Sequence, residues 1–453
     1  MGAGVVDWPI WRENPVVSTS LPILMPAVPE QQWSCHSCSY CCREAVVHLT
    51  EEDRRRIVQQ GWSSRLDVMP MVQAGGGWVL NKRTDGACVF LDEANLCQIH
   101  KRFGLEQKPL ACRLFPFSVR EVDGAMQATV RFDCPSMARS EGQPLANHAS
   151  SVSKMSDEVR AVMPAMTGTG DVFLQPGRLA SIMELHTING TLASWMRRDL
   201  PLSERVIGMA RFATLLGRTR LGDMDETNCI GLLELLGSDL ESESQRGADL
   251  PLPKQSSLFR QVVFAHTEHV GLPDLQAHWL TRMGKRFGQA GRARRYLKGD
   301  GVMPAIPGLC GTTTFARIAE VTVSSSDRPF MESLMQRYVL ARLTGDSVFG
   351  DGYYGWPVAH GLSALCLSVA AIGFLGRAIC AAEGRDLVTA EDCVRATGAI
   401  DRAASRLPAL GTMAERTRIA YLWEDDGLAR LVFDQLAGES GVSGDSRISG
   451  NND

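Results

Sequence analysis

Residues 35 to 42 read Cys-His-Ser-Cys-Ser-Tyr-Cys-Cys, a C-x2-C-x2-C-C run. Two residues between thiolates let a tight turn aim both sulfurs at one metal, which is why C-x2-C recurs in zinc and iron sites. A third cysteine at the same interval adds a further corner, as in the runs that wrap an iron–sulfur cube. Buried reduced cysteines do pack as small apolar groups, but core packing does not ask for this spacing. Cys35, Cys38 and Cys41 are therefore expected to share a metal. The fourth ligand must come from farther along the chain, and Cys88, Cys97, Cys112 and Cys134 are the candidates. Cys42 completes the set of eight; adjacent to Cys41, it is expected to point elsewhere unless the two thiols bridge two metals. Eight thiols suffice for one four-ligand site or for two. All-thiolate ligation suits zinc and an iron–sulfur cluster alike. His36, His48 and His100 could complete a mixed site, and read more simply as surface or turn histidines.

Eight of the 13 cysteines lie in the first 134 of 453 residues. Met1-Gly2-Ala3-Gly4-Val5-Val6-Asp7-Trp8 lacks the basic start and apolar core of a secretory signal, and the Ser or Thr a myristoylation signal needs at position 6. A cytoplasmic protein is expected, and there a cysteine cluster reads as metal-binding or redox-active before it reads as a disulfide framework. The net charge of −4 gives no global basic field for nucleic acid or an anionic membrane and leaves only local patches. No nucleic-acid partner is expected.

The elements that must position the thiols are short and mixed. Thr50-Glu51-Glu52-Asp53 places a capping hydroxyl before an acidic first turn, predicting a helix from Glu51 to Gln60 that stops at Gly61. Trp78 to Leu80 and Cys88 to Leu91 read as strands, and Asp123-Gly124 as the turn of a hairpin between Val119–Val122 and Ala128–Phe132. The fold class is thus an α+β cysteine-cluster domain followed by a mainly α-helical C-terminal region. The expected organisation is an extended Pro-rich arm over 1–30, the metal-binding domain over 31–138, a helical region over 155–240, a helical C-terminal domain over 256–437 and a disordered tail over 439–453. Polar stretches at 139–154 and 241–257 read as linkers. Helices are predicted over 178–198, 203–216, 226–236, 258–264, 331–343, 358–382, 390–404 and 413–436. Val358 to Gly376 carries no formal charge, but His360, Gly361, Ser363, Ser368 and Gly373 dilute it, so a buried core helix is expected and no membrane span.

These pieces resemble the CxxCxxCC proteins, a zinc- or iron-chelating family. The resemblance rests on Cys35 to Cys42, on Leu49-Thr50-Glu51-Glu52-Asp53, on Ala87-Cys88-Val89-Phe90-Leu91-Asp92 and on Cys97-Gln98-Ile99-His100. It continues through Lys108-Pro109-Leu110-Ala111-Cys112-Arg113-Leu114-Phe115-Pro116-Phe117, similar to the family's P-x-x-C-R-x-F-P signature. The step from His100 to that proline, through Lys101 to Gln107, is longer than is usual in the family. Longer members include flagellin lysine N-methylases, to which Pro201–Arg205 and Phe330–Val339 show short likenesses. That resemblance implies S-adenosylmethionine as cofactor and a protein substrate such as flagellin. The reaction would be attack of a deprotonated lysine amine on the sulfonium methyl, aligned by the protein and helped by a base.

The residues themselves supply little for such an enzyme. No G-x-G-x-x-G follows a strand: Gly2-Ala3-Gly4 sits at the terminus and Gly75-Gly76-Gly77 has no helix after it. The C-x3-C-x2-C spacing of radical chemistry fails at Ala45, and no P-loop, nucleophile elbow or His-Glu-x-x-His is present. No catalytic or cofactor-binding residue is assigned; Glu184 is one candidate base among several. His266 and His269 share a helix face but lack a third ligand. Arg54–Arg56 and Arg292-Ala293-Arg294-Arg295 could meet phosphate, and read first as solvated faces. Tyr353-Tyr354-Gly355-Trp356-Pro357 reads as core packing. Cys229, Cys310, Cys366, Cys380 and Cys393 read as structural, with Cys366 and Cys380 close to four helical turns apart on one buried face.

Overall fold

The computed structural model describes residues 22–437 except 123, 163–169, 223 and 269. The first 21 positions of the expected arm, the expected tail over 439–453, Asp123 of the hairpin turn and His269 lie outside the described residues. The described end of the arm is docked: Ile23–Leu24 pairs in parallel with Met126 and Gln127 at the edge of the predicted hairpin. That hairpin joins Phe117–Val122 antiparallel to Ala125–Val130.

The N-terminal region mixes strands and short helices, and the rest is mainly helical. Its helices are α1 (Tyr40–Glu44), α2 (Glu51–Gln59), α3 (Gln98–Phe103), α4 (Leu110–Leu114), α5 (Pro135–Arg139) and α6 (Ala149–Val162). A second hairpin, Met71–Ala74 with Gly77–Leu80, turns on Gly75 and Gly76, whose φ of 62° and 81° favour residues without Cβ. Cys88 to Leu91 is not a strand; isolated bridges, Lys82 with Cys88 and Leu91 with Cys97, hold tight turns there instead.

The body comprises α7 (Ile182–Met196), α8 (Leu202–Arg218), α9 (Glu226–Ser238), α10 (Leu240–Gln245), α11 (Pro253–Thr267), α12 (Leu272–Gln276) and α13 (Trp279–Lys298). It continues with α14 (Phe315–Glu320), α15 (Arg328–Thr344), α16 (Val358–Ala382), α17 (Ala390–Ala403), α18 (Met413–Tyr421) and α19 (Gly427–Leu436). α16 runs through the middle, packed by α8, α17 and α19. It is long and apolar enough to cross a membrane, yet 89% of its most apolar stretch is buried inside the protein. Its hydroxyls are satisfied there: Ser363 and Ser368 donate to Ala359 O and Ala364 O at 2.7 and 2.8 Å, and Trp423 Nε1 donates to Ser363 Oγ at 2.9 Å. A Cβ on Gly361 would stand 1.9 Å from Val348 O, so only glycine permits that approach.

Several boundaries differ from the sequence expectation. The stretch 139–154 is not a linker: Gln143–Pro144 pairs with Gln32–Trp33, and buried Leu145 and Val152 draw the rest into helix. The stretch 241–257 is largely helical for a similar reason, since buried Leu240 and Ser244 sit on α10 and buried Gln255 on α11. The span 413–436 breaks into α18 and α19 where Asp425 and Asp426 adopt left-handed φ of 50° and 56°. α13 was not foreseen at all.

Polar contacts fasten the two regions. Arg342 pairs with Asp401 inside the body, and Asp401 Oδ2 also accepts Phe132 N at 2.9 Å and Asp133 N at 3.3 Å. Arg337 donates to Gln31 Oε1 at 2.7 Å and Ala138 O at 2.9 Å. Arg402 pairs with Glu44 at 2.7 Å and with the Tyr40 hydroxyl, tying α17 to α1, the helix that carries Cys41 and Cys42. A single apolar core therefore runs from Val28 through Phe117, Val130 and Phe132 into the helical body. A second, smaller core gathers Leu49, Ile57, Trp62, Met71, Leu80, Val89, Phe90 and Ile99.

Candidate metal centre

Cys88, Cys97 and Cys112 pack against that smaller core. Each is delivered by a local device. Arg83 N and Ala87 O close a turn at 2.7 Å around Gly86, with φ of 81°, and Cys88 N then donates to Cys42 O at 2.8 Å, laying the two cysteine segments together. Asp92 Oδ1 accepts Leu96 N at 2.8 Å in a second turn, closed by Asn95 at φ 60°, and Cys97 follows as the residue before α3. Cys112 rides on α4. Asp53, almost fully buried, positions that helix: Oδ1 accepts Leu110 N at 3.0 Å and pairs with Arg56 at 2.6 Å, while Oδ2 accepts Thr50 N at 3.1 Å. Thr50 Oγ1 returns a bond from Asp53 N at 3.0 Å, a reciprocal cap at the start of α2. Arg113, next to Cys112, is held by Glu158 of α6 at 2.9 Å and by Lys108 O at 3.1 Å.

The electrostatics mark which thiols are neighbours. Cys41 interacts directly with Cys42, which with burial drives its pKa up. The two adjacent thiols thus meet instead of diverging. Burial pushes Cys88 up to about 11, with Cys97 and Cys41 adding to it. Cys112 is raised by burial and by Cys88, Cys41 and Cys97. Burial works against the charge of Lys108, but Cys112, Cys97, Cys41 and Cys42 outweigh it and raise its pKa. Lys82 lies beside Cys88 and Cys42, lowered by its own burial, and donates to Arg43 O. Two lysines therefore stand where bound thiolates would need positive charge. Sequence reasoning placed Asp53 in an acidic first turn and Lys108 before the P-x-x-C-R stretch without a role for either, and missed Lys82 altogether.

Of the remaining cluster cysteines, Cys134 and Cys38 adjoin the group through Cys41. Cys134 begins α5 and is pushed up to about 12 by burial, with Cys38 and Cys41 as its thiol neighbours. Cys38 is exposed near Arg139, and Cys35 is exposed on the loop before Ser37 and Ser39, both left-handed. His36 bonds Ser136 Oγ at 3.1 Å, and His48 and His100 are exposed. All 13 cysteines are free thiols. Among the described residues, no three His, Cys, Asp or Glu side chains are arranged to hold a metal ion as they stand. The donor chemistry fits: cysteine sulfurs, unbridged, beside two lysines whose charge can offset bound thiolates.

Elsewhere the candidates resolve into structure. Glu184 is fully buried, bonded to Ser181 N at 2.7 Å and paired with Arg178 at 2.6 Å, and so cannot reach a substrate. His266 is buried, its Nδ1 bonded to Val262 O at 2.9 Å. Tyr353, Tyr354 and Trp356 stack edge-on among themselves, and Cys366 and Cys380 are both buried.

Residues 34–135 match the model of the CxxCxxCC family, described as "Putative zinc- or iron-chelating domain". The match begins one residue before Cys35 and ends one residue after Cys134, so it encloses all eight clustered cysteines. No curated protein and no solved structure matches the chain.

Proposed function

We propose that the domain chelates one zinc ion or one iron–sulfur cluster through Cys41, Cys88, Cys97 and Cys112, with Cys42 beside them. The carrying observation is the shared neighbourhood of these thiols, with Lys108 beside Cys41, Cys97 and Cys112 and Lys82 beside Cys88. Four sulfurs from four separate turns and helices, closed on a metal, would cross-link a core too small to be stable alone. Cys38 and Cys134, with Cys35, form the candidate second group. Anaerobic purification, metal analysis and a visible spectrum test the reading. Coloured protein with about four irons per chain means a cluster, and colourless protein with about one zinc means a closed structural site. Cys88→Ser with Cys112→Ser should abolish the metal. A metal-free protein that folds with unchanged stability, or full metal content in that double variant, overturns the proposal.

A second reading, methyl transfer from S-adenosylmethionine to a lysine of a protein such as flagellin, has one observation on its side. A shallow, open cleft lies beside α1, lined by His266, Glu268, Gly308 and Arg402. His266 Nε2 has no partner among the described residues, an uncommon state for a buried ring nitrogen. Calorimetric titration of the metal-loaded protein with S-adenosylmethionine decides it, and no heat of binding removes it.

A further inference from the structure

The basic run Arg292-Ala293-Arg294-Arg295 belongs to a longer feature. α13 carries seven basic residues, Arg282, Lys285, Arg286, Arg292, Arg294, Arg295 and Lys298, and no acidic one, in a chain whose net charge is −4. Its inward side is fixed by contacts. Tyr296 is buried against Phe264 at 5.4 Å, Gln289 and Arg292 both reach Glu268 at 2.7 Å, and Lys285 pairs with Asp274. At 3.6 residues per turn those positions share one side of the helix. The other side presents Leu280, Met283 and Phe287, at steps of three and four residues. They are 57%, 45% and 74% exposed, and Phe287 is the most exposed large apolar side chain among the described residues. Arg286, Arg294, Arg295 and Lys298 lie on or beside that stripe and are exposed too.

We propose that this face of α13 docks on an anionic lipid surface. Low average hydrophobicity, an apolar stripe and a wholly cationic polar face are the pattern of helices that lie in the membrane interface. Phe287, Met283 and Leu280 would enter the acyl boundary while the arginines meet the headgroups. A nucleic acid would satisfy the charges but leave the stripe in water. Because the chain is net negative, attraction to an anionic surface acts through this patch and orients the molecule. The inference is independent of the metal site.

The test uses the full chain as purified and vesicles of phosphatidylcholine with about one third phosphatidylserine, read by co-sedimentation. The protein should pellet with them, and binding should fall about tenfold or more on pure phosphatidylcholine or in high salt. Leu280→Ser with Phe287→Ser should release it, with the melting temperature unchanged because both side chains are exposed. Failure to pellet with anionic vesicles overturns the proposal, as does pelleting that the double variant does not weaken. A lipid-free dimer that the double variant dissociates also overturns it, since a second copy would then cover the face.

Discussion

Around α16, apolar side chains from α8, α17 and α19 close over one another, and the few buried charges are answered within the fold, as Asp401 answers Arg342. Behind the cysteines, eight buried apolar residues gather loops and short helices that have few neighbours beyond themselves. A core of that size does not hold its loops unaided, and natural domains so built rely on a cross-link. The large core can therefore afford isolated imperfections, whereas the small one depends on its caps and on whatever its thiols bind.

The largest effect is expected from Asp401→Ala. It leaves Arg342 buried without its partner and removes the acceptor of Phe132 N and Asp133 N, so denaturant unfolding should show a loss of about 3–5 kcal/mol. A loss below about 1 kcal/mol would mean that the body does not hold the cysteine region through this pair.

Acid comes next. His266 and His360 are both held by burial at about 4, against an ordinary 6.5. The unfolded chain takes up their protons near 6.5 and the folded chain does not until about 4. Stability is therefore full above that window and falls as pH drops through it, by roughly 3 kcal/mol for each histidine. Melting curves between pH 7 and 4, repeated on His266→Gln, should show a shallower decline in the variant. Equal slopes would place the acid sensitivity elsewhere.

The smallest effect is local to the small core. Thr50→Ala removes the cap bond to Asp53 N and should cost about 1 kcal/mol. Because Asp53 also holds Leu110 N, two residues before Cys112, hydrogen exchange should quicken in α2 and α4 while α16 stays protected. Uniform loosening of both cores would erase the distinction between them.

The sequence made the thiol run legible because metal-ligand spacing is a local property of the chain, and the match over residues 34–135 agrees with it. α16 was legible because its apolar stretch is continuous, and its bounds fall where predicted. α13 was not: Leu280, Met283 and Phe287 recur at helical steps, but Gly284, Gly288 and Gly291 weaken the helical signal and the inward side consists of Lys285, Gln289, Arg292 and Tyr296. The polar stretches before α6 and α11 looked like linkers because the residues that bury them, such as Leu145 and Val152, gain their partners only from distant segments.

Residue types and spacing alone determined that this protein carries eight cysteines, three of them at metal-ligand spacing, in an α+β region followed by helices. Only the tertiary structure decided which thiols are neighbours. It brought Cys88, Cys97 and Cys112 to Cys41 and set Lys82 and Lys108 among them, while Cys35, within the motif itself, stays at the surface. The physical reason is that ligand spacing is written in consecutive residues, whereas the charge and burial that tune a site come from segments that meet only when the cores close.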